Sequence, residues 1–246
     1  MKPAAREVAI ACTRDLSAFG SAEAIVVVDV IRATTTLATA RARGRRCFPA
    51  GSIEQALALA ERLEAPLLAG EVGGVMPNGF ALNNSPAALA ARDDIHRPLV
   101  LLTTSGTRVM ASARDEQTVF AASLRNWSAE VERLVNSAWR NVTLVGAETR
   151  GEFRREDQLC CAWIAAGLAE SGFRCANRET DAVVERWSSA DVSVIADGNS
   201  ADYLRRSGQL ADLDYVLDHV DDLSLTFAVD GPELAASGLG VVESAA

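Results

Sequence analysis

The sequence has only two histidines, His96 and His219, and no Cys-x-x-Cys pair among its five cysteines. These absences remove the usual donors of a zinc site and the base of a Ser-His-Asp triad. The glycine-rich dinucleotide fingerprint, the P-loop and the Gly-x-Ser-x-Gly elbow are missing as well, so the common nucleotide and serine-hydrolase signatures fail. No run approaches the ~18 apolar residues that a membrane helix needs. The opening MKPAAREVAIAC lacks the apolar core of a secretion signal. A soluble, cytoplasmic protein is the expectation. In that reducing setting Cys12, Cys47, Cys160, Cys161 and Cys175 read as small apolar residues rather than as a disulfide or zinc framework.

What is present is an ordinary globular composition: 246 residues, 49% hydrophobic and 23% charged. A chain of this length buries roughly 70–75% of its unfolded surface and needs neither disulfides nor a structural metal. The 33 acidic against 24 basic residues leave a net charge of −9. Such a field disfavours nucleic acid and anionic membranes as partners. It is compatible with a few arginines gathered around a small anion. No internal repeat or Pro/Ser-rich linker appears, so one domain over residues 1–246 is expected, with the weakest patterning in 175–246.

Short apolar runs alternate with helical patterns. The strand candidates are residues 7–12, 24–31, 46–51, 66–71, 98–104, 118–123 and 141–147. AIVVVDVI and PLVLLTT are almost continuously apolar, which suits strands buried on both faces of a parallel sheet. Ser52-Ile53-Glu54-Gln55 is a capping box that opens one helix. Trp127, Val131, Leu134 and Val135 mark a second, and a third starts near Glu156. SADYLRRSGQLADLDYVLDH reads as two short helices broken at Gly208, LTFAVD as an edge strand, and the remainder as a frayed tail. The alternation predicts an α/β fold of three layers around a largely parallel sheet, with a mixed sheet left open. The segment Gly73–Ser85 is the longest without regular pattern, which marks it as functional.

The polar residues fall where the apolar strands end. AIVVVDVI delivers Asp29, then Arg32 and Thr34, Thr35 and Thr36 at the start of a helix. PLLAGE delivers Glu71. PLVLLTT delivers Thr104, Ser105, Gly106 and Thr107, and NVTLVGA leads to Arg150 and Gly151. In an open parallel sheet the carboxyl ends share one edge, where ligands bind. Two helix starts on that edge offer free N–H groups to a phosphate, and Gly151 would let a ligand approach the backbone closely. Asp29, inside an apolar run, should pair with Arg32 or a metal. Carboxylates without histidine suit a hard ion, Mg²⁺ beside phosphate. Mg²⁺-assisted chemistry on a small phosphorylated anion is the sum.

VVVDVIRATTTLATA, LLAGEVGGVMPNGFALNNSP, LLTTSGT and TRGEFRRED occur in the order and spacing of the 2-phosphosulfolactate phosphatase family. The chain resembles that family well over residues 24–162 and more faintly through GQLADLDY. The resemblance implies a single three-layer α/β domain and Mg²⁺-dependent removal of phosphate from 2-phosphosulfolactate, a step of coenzyme M biosynthesis. On this reading Asp29 and Glu71 hold the ion, with Glu156 and Asp157 as further ligands. Arg32 and the N–H groups near Thr34, Thr35, Ser105, Gly106 and Thr107 clamp the phosphate. Arg150, with Arg154 and Asn84 beside Ser85, holds the sulfonate and carboxylate end. The departures are Ser105 for a commoner asparagine, Asn83 for glycine, and Glu148 for glycine. A haloacid-dehalogenase-type phosphatase is one alternative, although no second aspartate follows Asp29 two residues on. A non-catalytic sensor of a small sulfonated or phosphorylated anion is another. A homo-oligomer is left open.

Overall fold

The computed structural model describes residues 5–21 and 23–238. Its strands are β1 (Arg6–Thr13), β2 (Glu23–Val28), β3 (Cys47–Ala50), β4 (Leu67–Gly70) and β5 (Leu99–Leu102). Then come β6 (Thr118–Ala122), β7 (Asn141–Ala147), β8 (Phe173–Cys175), β9 (Leu225–Asp230) and β10 (Glu233–Gly238). The helices are α1 (Ala33–Ala42), α2 (Ile53–Ala60), α3 (Pro86–Ala90), α4 (Gly106–Ala111), α5 (Trp127–Val135), α6 (Arg155–Glu170), α7 (Arg178–Trp187), α8 (Asn199–Arg206) and α9 (Leu210–Asp218).

Strand β2 shows why the layers form. All of Ala24 to Val28 are fully buried, and successive side chains point to opposite faces. Ala24, Val26 and Val28 pack with Leu159, Ile164 and Leu168 of α6. Ile25 and Val27 pack with Leu37 of α1 and Val109 and Met110 of α4. Helices thus cover both faces, the expected α/β arrangement. On the smaller side, Ala56 of α2 joins Phe48, Val100 and Leu102. Cys160 and Cys161 are both swallowed by the α6 side of the core, and Cys47 by the α1 side. Cys12 and Cys175 are half-buried, and all five cysteines are free thiols.

The sheet runs β4-β5-β3-β10-β9-β6-β2-β7-β1-β8. Two of its features correct the sequence reading. LTFAVD is not an edge strand: β9 lies between β6 and β10, antiparallel to both. The segment read as a tail begins with β10, which pairs with β3; residues 239–246 lie outside the described residues. This hairpin joins two parallel blocks, β4-β5-β3 and β6-β2-β7-β1-β8. Because each junction is antiparallel, the blocks run in opposite senses, and the sheet is mixed.

The carboxyl ends therefore do not share one edge by strand direction alone. The groups that follow β5 and β2 nevertheless meet, since Gly106 N donates to Asp29 at 2.7 Å. The ordinary twist of a long sheet offers the physical means. Strands β5 and β2 are five steps apart, and ~20–25° of twist per step accumulates to roughly 100–125°. Helix α4 packs against both β3 and β2, one strand from each block.

One buried carboxyl group lies apart from Asp29 and α4. Glu130 of α5 is fully buried, and neither carboxylate oxygen has a hydrogen-bond partner. Burial pushes its pKa up to about 8, against a smaller opposing effect of Arg133. The folded protein keeps this proton between the ordinary value of 4.5 and about 8, so stability falls as pH rises through that window. Glu130→Gln is expected to stabilise the protein at pH 8 by on the order of 1–3 kcal/mol, raising Tm by a few degrees. The gain should vanish at pH 4. A Tm unchanged at pH 8 would mean that Glu130 has an ordinary pKa.

Candidate active site

Asp29 follows β2 and is almost fully buried. Its Oδ1 accepts from Ala33 N at 3.3 Å, and its Oδ2 from Gly106 N at 2.7 Å. The carboxylate therefore sits at the first turns of α1 and α4, one from each block. Burial raises its pKa to about 6; the Ala33 and Gly106 amides oppose this, Glu71 adds to it and Arg32 opposes it. Of the amides that the sequence reading assigned to phosphate, Gly106 N points at this carboxylate, Thr34 N donates to the Asp29 backbone carbonyl at 2.9 Å, and Thr107 N donates to Thr103 Oγ1 at 3.1 Å.

Threonines 34 and 35 serve the same turn. Thr34 Oγ1 donates to Asp29 O at 2.8 Å, and Thr35 Oγ1 donates to Val30 O at 2.7 Å. Both side chains are buried and neither lines the cavity described below. Thr107 likewise donates to Ala50 O at 2.7 Å, inside the fold. These hydroxyls explain how an uncharged ATTTLATA helix is buried at low cost: each finds a backbone or side-chain acceptor.

Glu71 follows β4. Its Oε1 accepts from Thr104 N at 2.8 Å, and its Oε2 accepts from the Thr104 hydroxyl at 3.0 Å and from Gly74 N. Thr104 Oγ1 in turn accepts from Gly73 N at 2.8 Å. The irregular segment after Glu71 is thereby tied to the end of β5. Ser105 shares a 2.9 Å hydrogen bond with Thr149, which joins the β5 end to the β7 end.

Arg32 does not pair with Asp29. Its NH1 lies 2.6 Å from Asp212 Oδ2 and 2.5 Å from Gln209 Oε1, with Arg32 and Asp212 both buried. Asp212 Oδ1 also accepts from Ser85 Oγ at 2.6 Å and Ala87 N at 3.2 Å. Ser85 caps α3, connects α3, α9 and the arginine through Asp212, and does not line the cavity described below. Asn84 accepts from Thr36 Oγ1 at 2.8 Å and reaches the cavity.

These groups surround a cavity of about 340 Å³ lined by Asp29, Arg32, Glu71, Asn84, Thr104 and Ser105. Arg150 and Arg154 line it from the β7 side, with Thr149 and Glu152, and Asn199, Ser200, Tyr203 and Arg206 line it from α8. Four arginines face three carboxylates there, reversing the sign of the whole chain. Gly151 has φ +79°, a conformation that glycine adopts freely, but it is not part of the wall. Glu148 is turned outward to Arg14 at 2.7 Å and does not line the cavity.

Glu156 and Asp157 stand behind the wall, fully buried. Asp157 Oδ1 accepts from Val30 N at 2.7 Å, bracing the Asp29 turn. Burial raises both pKa values, and the charge of Asp29 raises them further. Ser200 and Arg154 beside Glu156 oppose the rise there. Among the described residues, no three His, Cys, Asp or Glu side chains converge as a closed metal cage.

Asp212, Gln209, Tyr203, Asn199, Ser200 and Arg206 were not singled out from the sequence. They come from α8, α9 and the link between them, where the patterning is weak. The faint family likeness of GQLADLDY, which contains Gln209 and Asp212, was the only signal that pointed there.

An α/β protein whose strand ends surround a small arginine-rich cavity with anchored carboxylates is built to hold a small anion. The family model of 2-phosphosulpholactate phosphatase matches residues 12–226. The chain belongs to this family of phosphoric monoester hydrolases. A probable 2-phosphosulfolactate phosphatase of Synechococcus sp. (strain WH7803) is 36% identical over 177 residues, 70% of this chain and 72% of that protein. One from Synechocystis sp. is 33% identical over 198 residues, 77% and 82% of the two chains. A third, from Thermotoga maritima, is 39% identical over 144 residues, covering 58% and 61%.

Proposed function

We propose that the protein hydrolyses the phosphate ester of 2-phosphosulfolactate, or of a closely related small phosphorylated acid, with Mg²⁺ as cofactor. The observation that carries this reading is one cavity holding anchored Asp29 and Glu71 opposite Arg32, Arg150 and Arg154. The relatives named above support the choice of substrate. The reaction would then be the one the family contributes to coenzyme M biosynthesis, in the cytoplasm.

The donor set fits a hard divalent ion. Asp29 and Glu71 are fixed by backbone N–H groups, face one cavity, and repel each other enough for Glu71 to raise the pKa of Asp29. Mg²⁺ commonly takes one or two carboxylates, several waters and substrate phosphate, and needs no closed protein cage. Asp29 and Glu71 would hold it, and the bound ion would neutralise charge on a phosphoryl oxygen. Asp157 braces the Asp29 turn from behind, through the Val30 amide.

Arg32 presents its guanidinium to the phosphoryl group. Asp212 and Gln209 hold NH1, leaving Nε and NH2 without a hydrogen-bond partner among the described residues. Arginine suits phosphate because its donors form a planar fork. Arg150, with Arg154 and Asn84, meets the acid end of the substrate. The attacking group is either water or Asp29 itself. Rapid quench with labelled substrate distinguishes them, because an acyl-phosphate forms only in the second case.

The test is a phosphate-release assay with and without Mg²⁺ on 2-phosphosulfolactate, phospholactate and phosphoglycolate. Metal-dependent turnover is the expected result. Tight metal-independent binding without release would replace the enzyme with a sensor. Arg150→Ala is expected to raise KM for the sulfonated ester about tenfold or more, and for a simple phosphomonoester much less. Equal changes for both would remove Arg150 from the acid end.

A further inference from the structure

We propose that Arg206, in the last turn of α8, is a specificity-determining residue. It binds the second oxyanion of the substrate, a sulfonate or carboxylate standing away from the phosphoryl group. The inference rests on reading the cavity as a phosphomonoester site.

It starts from how the four cavity arginines are engaged. Arg32 is locked by Asp212 at 2.6 Å and by Gln209. Arg154 NH1 lies 2.5 Å from Glu152 Oε2. Among the described residues Arg150 makes one side-chain hydrogen bond, from NH2 to Gly73 O at 3.4 Å, and no ion pair. Arg206 is exposed, lines the cavity, and has neither an ion pair nor a hydrogen bond among the described residues. A guanidinium has five donors and no acceptor. At Arg206 no protein contact must break before those donors meet a ligand oxyanion.

The helix that carries it is fixed. Ala201 and Leu204 are fully buried, and the Tyr203 hydroxyl donates to Gly74 O at 2.8 Å. The base of Arg206 is therefore held against the cavity while its head is unpartnered. The neighbouring arginine shows that this is no general property of the helix end. Arg205 pairs with Asp202 at 3.0 Å and does not line the cavity. A cation in the last turn of a helix also interacts well with the helix dipole. That effect contributes to stability and is indifferent to substrate, which gives a way to separate the two roles.

The electrostatics select a substrate class. A phosphoryl group beside Arg32 leaves the charge of Arg150 and Arg206 at the wall without an ion pair among the described residues. A substrate with a further sulfonate or carboxylate compensates it; a plain phosphomonoester does not.

The experiment compares Arg206→Ala, Arg206→Lys and Arg205→Ala on three esters in the presence of Mg²⁺. These are 2-phosphosulfolactate, with carboxylate and sulfonate; phospholactate, with carboxylate alone; and phenyl phosphate, with neither. Arg206→Ala is expected to raise KM for 2-phosphosulfolactate about tenfold or more with kcat little changed, and to leave phenyl phosphate unaffected. The response of phospholactate assigns the partner: an equal rise in KM points to the carboxylate, no rise to the sulfonate. Arg206→Lys should recover part of the loss, the effect should shrink with added salt, and Arg205→Ala should change nothing. Equal KM changes on all three esters, or no change on any, overturn the role. If the unaltered protein hydrolyses none of the three, the phosphatase reading fails by itself. Calorimetry with sulfolactate then decides Arg206: binding lost in Arg206→Ala supports the anion site, and equal or absent binding overturns it.

Discussion

Asp29→Asn is expected to lower kcat by ~10² or more at saturating substrate and Mg²⁺, the scale of a single preorganised electrostatic group. The substitution keeps the shape and removes the charge that would face an ion or phosphoryl group. It should leave the fold standing. Asp29 is buried with its pKa raised to about 6, so above that pH its charge weakens the folded state rather than supporting it. The amide forfeits one contact, since Ala33 N and Gly106 N both donate to the carboxylate and an amide has a single acceptor oxygen. These opposing changes predict a Tm within a few degrees of the original. Reduced turnover with an unchanged Tm assigns Asp29 to the chemistry. Near-original turnover would remove it, whatever the Tm.

Gly106→Ala is the second large effect, and its sign is unusual. At the start of a helix, alanine in place of glycine normally stabilises by up to ~1 kcal/mol. Here the added Cβ would lie 2.5 Å from Asp29 Oδ2, 2.7 Å from Asp29 Cβ and 2.8 Å from Ala33 Cβ. No side chain can stay there unless α4 retreats from the end of β2. The hydrogen bond from Gly106 N to Asp29, 2.7 Å in length, lengthens or breaks in consequence. Overpacking of this kind costs about 1–3 kcal/mol, and a displacement on the order of 1 Å in a catalytic group can cost ~10² in rate. Loss of both activity and several degrees of Tm is the expected result. Full activity with a raised Tm would mean that the two helix starts are further apart than described.

Much of this protein is legible locally. Buried β2 and β5 announce themselves as unbroken apolar runs, and the break at Gly208 separates α8 from α9 as the pattern implies. Asp29 stands out because a carboxylate in an apolar run demands a partner. Which partner it finds is not local: the expected pairing with Arg32 gives way to amides of Ala33 and Gly106, while Arg32 turns to Asp212, 180 residues away. Glu148 shows the same limit. Its place before Thr149 and Arg150 suggests the site, yet its side chain pairs with Arg14 outside it.

By itself the sequence determined the alternation of strands and helices, the strand-end position of Asp29, Glu71, Ser105 and Arg150, and the likeness to a phosphatase family. Each of these is written in burial period, capping or motif, which act over a few residues. The tertiary structure alone decided that β9 and β10 enter the middle of the sheet and set its two parallel blocks in opposite senses. It also decided that α1 and α4 begin against one carboxylate, and that α8 brings Arg206 to the cavity. Those outcomes depend on pairings and contacts between distant segments, and no short stretch of sequence carries them.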